Sequence, residues 1–66
     1  MNIQLNGEAR EVADSISLSA LLDSLDLTGK RLAVEVNEDL VTRVKFDSFT
    51  LGEGDKVEIV QAIGGG

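Results

Sequence analysis

Sixty-six residues with no cysteine, histidine, proline, tyrosine or tryptophan make one small domain with no disulfide framework, no thiolate nucleophile and no imidazole base or ligand. Twelve Asp and Glu against six Lys and Arg give a formal net charge of −6, which is repelled by phosphate backbones and anionic lipid and speaks against nucleic acid or membrane as partners. A basic protein partner is the better expectation, and with no membrane-length apolar run and no basic-then-apolar leader the chain reads as cytoplasmic.

The first stretch, "MNIQLNGEAREV", alternates strictly: Met1, Ile3 and Leu5 share one face, Asn2 and Gln4 the other. Asn6-Gly7 is a strong hairpin signal, because both residues tolerate the positive φ of a type I′ turn. Glu8 to Val12 then returns as a more polar strand suited to a sheet edge.

In "ISLSALLDSLDLTGK" the period changes. Leu18, Leu21, Leu22 and Leu25 fall at i, i+3, i+4 and i+7, one apolar stripe on a helix of about two turns. Ser17 is placed to cap it, and Ile16 and Leu21 stand at hydrophobic-staple spacing. Gly29 with Lys30 reads as the helix stop.

"RLAVEVNEDLV" restores period two, with Leu32, Val34 and Val36 inward and Ala33 and Glu35 outward. Asn37-Glu38-Asp39 is turn material, and Leu40-Val41 a short return strand. Phe46, Phe49 and Leu51 lie in an aperiodic stretch and are expected to plug the bottom of the core from an irregular or 3₁₀ segment. Gly52 to Asp55 is a turn, and "KVEIV" a last strand with Val57 and Ile59 inward.

One helix laid across one face of a small mixed sheet buries the leucine stripe economically. The expected fold is therefore α+β: a β-grasp of four to five strands, with the apolar first and last strands central and parallel. Residues 1–62 form this domain, and 63–66 a glycine tail.

The alternation breaks near the end. Val60 and Ala62 fall on the face that Lys56 and Glu58 occupy, and Ile63 follows with no obvious packing partner. Val60, Ala62 and Ile63 are the expected apolar part of a partner-docking surface, with nearby acids steering a basic partner. Gly64 and Gly65 lack Cβ atoms, so they can be threaded through a narrow channel that brings the Gly66 carboxylate to another protein's active site. The acids are otherwise spread along the chain as a solvated face. Chemistry is expected to be done to this protein, not by it: it is not an enzyme, and no catalytic or metal-binding residue is assigned.

The opening "IQLNGE", the central "LAVEVNEDLVTR" and the closing "GDKVEIVQAIGGG" resemble the ubiquitin-like sulfur carriers, and most closely the ThiS family of thiamine biosynthesis. The resemblance spans essentially the whole chain; one departure is Thr42, where the family often has proline. It implies that a ThiF-like adenylating enzyme uses MgATP to convert the Gly66 carboxylate into an acyl-adenylate. A persulfide donor, such as a cysteine desulfurase relay, would then supply sulfur to give a thiocarboxylate, which a ThiG-like thiazole synthase would consume. The carrier itself would bind no cofactor and act as a monomer. Three other readings stay open: a carrier for molybdopterin or a secondary metabolite, a ubiquitin-like modifier joined to lysines, and an interaction module with an idle tail.

Overall fold

The computed structural model describes residues 1–61. Their elements run β1 (Asn2–Leu5), β2 (Glu8–Glu11), α1 (Leu18–Ser24), β3 (Leu32–Val36), β4 (Asp39–Val41), a 3₁₀ turn (Arg43–Lys45) and β5 (Lys56–Gln61). The sheet order is β2-β1-β5-β3-β4, and the first and last strands are parallel neighbours inside it. This is the β-grasp layout expected from the alternation.

Both hairpins are two-residue turns with positive φ at each central position, which matches the twist of the flanking strands. Leu5 pairs with Glu8 across Asn6-Gly7 (φ 50° and 85°), and Val36 pairs with Asp39 across Asn37-Glu38 (φ 53° and 73°). Asp39 thus already belongs to β4. All four residues of β2 are exposed, as an edge strand allows.

Helix α1 starts where the sequence places it. The Ser17 hydroxyl oxygen accepts from the Ala20 N–H at 3.0 Å, from an extended backbone. Two more amides of the first turn are answered from the aperiodic segment: Leu18 N–H donates to Phe49 O at 2.9 Å and Ser19 N–H to Phe46 O at 3.1 Å. That docking brings Phe46 and Leu51 into the core beside Leu18, Leu21 and Leu22, against Ile3, Val34, Val36 and Val57 of the sheet. Phe49 packs on the cluster from a half-buried position.

The helix ends differently from the expectation. The left-handed residue that stops it is Asp26 (φ 58°), and Gly29 (φ 81°) belongs to a separate turn further on. Asp26 N–H donates to Asp23 O at 3.1 Å and Leu27 N–H to Leu22 O at 2.9 Å, the paired bonds of a Schellman cap. The cause is the leucine pattern: reversing at Asp26 lets Leu27 pack against the same apolar cluster as Leu25. An exposed aspartate is a poor residue here, since a side chain costs energy at positive φ and its charge opposes the negative helix end. Asp26→Gly is therefore expected to stabilise the fold by roughly 0.5–1 kcal/mol. Urea unfolding should show a higher midpoint at unchanged slope; a lower midpoint would mean that the aspartate makes a contact worth more than its strain.

Candidate functional site

Strand β5 lies in the sheet interior, between β3 and β1. On one side β3 pairs with it in antiparallel register as far as Ala33↔Val60 and Leu32↔Gln61. On the other side β1 reaches only to Leu5↔Val57. Turn asparagines hold the strand at its two ends. At its start, Asn37 N–H donates to Lys56 O (2.8 Å), Lys56 N–H to Asn37 Oδ1 (3.0 Å), and Asn37 Nδ2 to Asp55 Oδ1 (3.0 Å). Near its end, Ile59 N–H donates to Asn6 Oδ1 at 2.8 Å, and Asn6 Nδ2 to Ile59 O at 3.3 Å.

Strand pleating puts Lys56, Glu58 and Val60 on the sheet face away from α1, while Val57 and Ile59 face the core. Val60 is 66% exposed, which is high for a large apolar side chain in an interior strand. With Ala33 opposite, it forms the floor of a shallow hollow lined by Arg31, Leu32 and Arg43. Arg43 is braced from behind, its Nη2 donating to the Lys30 carbonyl at 2.7 Å. The next cross-strand row is acidic, Glu35 opposite Glu58. Val60 is thus flanked by both signs of charge: two arginines line the hollow, and two carboxylates stand one row back along β5. On the helix side, Leu5, Leu25, Leu27 and Ile59 line a second groove with Asn6 and Gln61.

Of the residues assigned from sequence, Val60 stands exposed at the end of β5 as anticipated. Ala62, Ile63, Gly64, Gly65 and Gly66 lie outside the described residues. Arg31 and Arg43 were not anticipated at this site. They lie twelve positions apart; the β3–β4 hairpin brings them near each other and the pairing of β3 with β5 sets Val60 beside them, cross-strand adjacencies that periodicity within one strand does not reveal. Among the described residues no polar side chain is buried and no cluster of acids could hold a metal ion. What this surface offers chemically is contact: an apolar floor, an arginine rim, and a strand end fixed in place.

No described helix is long and apolar enough to cross a membrane. The sequence matches the model of the ThiS family over residues 3–66. It is 32% identical over 65 residues to the sulfur carrier protein ThiS of Bacillus subtilis (strain 168), covering 97% of this chain and 98% of that one. It is 38% identical over 66 residues to the thiazole synthase of Paramagnetospirillum magneticum (strain ATCC 700264 / AMB-1), covering all of this chain but 20% of that protein. Its fold superposes on the crystal structure of the thiamine biosynthesis protein (ThiS) from Geobacter metallireducens with a TM-score of 0.86, at 35% identity and with both chains covered fully. A match over nearly the whole sequence, a shared β-grasp and relatives of the same length agree: the chain belongs to the ThiS family, the sulfur carrier proteins of thiamine biosynthesis.

Proposed function

We propose that the chain carries sulfur as a thiocarboxylate at Gly66 and is acted on by other enzymes in making the thiazole of thiamine. The observation that supports this most is the family match running through the final glycines to residue 66, on a chain with no cysteine to hold the cargo elsewhere. In the first step a Gly66 carboxylate oxygen attacks the α-phosphorus of MgATP on a ThiF-like enzyme, and pyrophosphate leaves. The resulting acyl-adenylate exchanges a poor leaving group for a good one. The terminal sulfur of a donor persulfide, from a cysteine desulfurase relay, then attacks the acyl carbon and expels AMP. A second thiol cleaves the S–S bond, taking the donor sulfur into a disulfide and leaving the thiocarboxylate. That anion is the nucleophile from which a thiazole synthase takes sulfur.

Thiazole synthase is the acceptor we favour because the matched bacterial thiazole synthase carries a segment like this entire chain within its own polypeptide. Joining carrier and acceptor covalently raises their effective concentration, which is useful only if the two must meet. The need for ATP and reduced thiols fits a cytoplasmic location. A monomer suits a carrier that visits several enzymes in turn. MgATP belongs to the partner in this scheme, and the carrier holds no cofactor of its own.

Docking is assigned to the hollow at the end of β5, with Val60 as its apolar centre and Ala62 and Ile63 as further apolar contacts with the partner. Gly64 and Gly65, which lack Cβ atoms, thread a narrow channel in the partner. The Arg31 and Arg43 rim meets partner carboxylates, while Glu35 and Glu58 face any basic element further along the sheet. Val60→Asp is expected to raise the KM of the adenylating enzyme for the carrier by roughly tenfold or more, since a central apolar contact is replaced by a charge. The folding cost should stay under about 1 kcal/mol for this exposed strand position. Carrier-dependent ATP–pyrophosphate exchange measures the KM, and an unchanged value would remove Val60 from the interface.

A further inference from the structure

We propose that Asn6 is a positioning residue for delivery of the tail: its carboxamide stands in for a missing strand partner and fixes the end of β5. This rests on the carrier reading above. Strand β1 pairs with β5 through Gln4↔Lys56 and Leu5↔Val57, and Asn6 N–H still donates to Val57 O at 2.9 Å. The next bonds of a parallel ladder would join the Ile59 N–H to the Asn6 carbonyl, and the backbone N–H of residue 8 to the Ile59 carbonyl. The chain cannot supply them, because it reverses at Asn6-Gly7. The Asn6 side chain supplies both instead. Its Oδ1 accepts from Ile59 N–H at 2.8 Å, and its Nδ2 donates to Ile59 O at 3.3 Å. A carboxamide offers the same donor and acceptor pair as a peptide group, so the ladder is extended by one residue with no further strand.

The place of this extension gives it a consequence. Beyond Ile59 the described strand has only Val60 and Gln61, both paired with β3. Without the carboxamide, the last three residues of β5 would be held from one side only and could splay. The hollow around Val60 and the described end of the strand would then lose definition. A partner would have to order that strand end on binding, which weakens productive association more than the chemical step that follows.

Asn6→Gly tests this, because glycine keeps the positive-φ turn and removes the carboxamide. Asn37→Gly is the matched control: the equivalent side-chain bonds are lost at the opposite end of the same strand. Carrier-dependent adenylation by the cognate enzyme, at varied carrier concentration, is measured with hydrogen exchange of the Ile59 amide. The expected result for Asn6→Gly is a KM raised about tenfold with kcat within about twofold. Ile59 exchange should quicken by about tenfold, the effect of losing one net hydrogen bond. Asn37→Gly should change neither. Asn6→Asp keeps the acceptor and loses the donor, so a smaller rise in KM is expected; it is read in place of Asn6→Gly should that variant not fold. An unchanged KM, unaltered Ile59 exchange, or an equal KM rise in Asn37→Gly would overturn the proposal. Failure of the unmutated chain to be adenylated by an active enzyme would instead sink the carrier reading on which the proposal stands.

Discussion

Deleting Gly66 is expected to abolish adenylation and all later sulfur loading while leaving the melting temperature unchanged. The two halves of this result have separate physical causes. The reacting carboxylate must be placed within near-attack distance of the α-phosphorus, and shortening the tail by one residue withdraws it by about 3.3–3.6 Å along an extended chain. A misplacement of even 1 Å can cost about a hundredfold in rate, so no partial activity is expected. Stability should not follow, because the fully buried side chains of the described residues run only from Ile3 to Val57. The deletion removes none of them. Thermal unfolding and pyrophosphate exchange on the same sample check both halves. A clear fall in melting temperature would show that the glycines take part in the fold, and retained exchange would show that the reacting group is not at Gly66.

Leu22→Ala has the other large expected effect, and it lies on the fold. Leu22 is 4% exposed in the core formed by the helix and the sheet, and its carbonyl accepts the Leu27 N–H that closes the helix cap. Truncation leaves a cavity under the helix and is expected to destabilise by about 2–4 kcal/mol. A domain of this size has little stability to spare, so a large fraction of the molecules could unfold. Denaturant titration at constant slope measures the loss. A change under about 0.5 kcal/mol, the ordinary scale for surface substitutions, would place Leu22 outside the core and contradict the helix orientation.

Periodicity made much of this architecture readable. Alternation at Met1, Ile3 and Leu5 and at Leu32, Val34 and Val36 marks two strands directly, and the i, i+3, i+4, i+7 leucines mark the helix with its buried face. Ser17 and Asn6-Gly7 carry their local geometry in their own chemistry, and both occur as the residues dictate. The helix stop was misread for a physical reason. Glycine is the common left-handed cap, yet the return of Leu27 to the apolar cluster sets the reversal at Asp26, where local preference alone would not put it.

The site was legible in part. An apolar residue on the polar face of the last strand singles out Val60 without any structure. The arginine rim was not legible, because it takes the register of the β3–β4 hairpin, the bracing of Arg43 on Lys30 and the pairing of β3 with β5 to set Arg31 and Arg43 around Val60. Net charge pointed the other way: a chain of −6 suggests a basic partner, whereas the charged residues that line the hollow with Val60 are both arginines. The Asn6 clamp was hidden for a similar reason. The sequence shows a turn asparagine, and only the parallel pairing of β1 with β5 puts its carboxamide against Ile59.

In the proposed scheme sulfur travels on the Gly66 carboxyl, and intact-mass spectrometry tests this most directly. The carrier is incubated with its adenylating enzyme, MgATP and a persulfide donor, beside a Gly66-deleted control. A mass gain equal to replacing one oxygen by sulfur is expected, confined to the C-terminal fragment and absent from the control. No gain from enzymes shown to be active, or a gain that survives the deletion, would contradict the scheme.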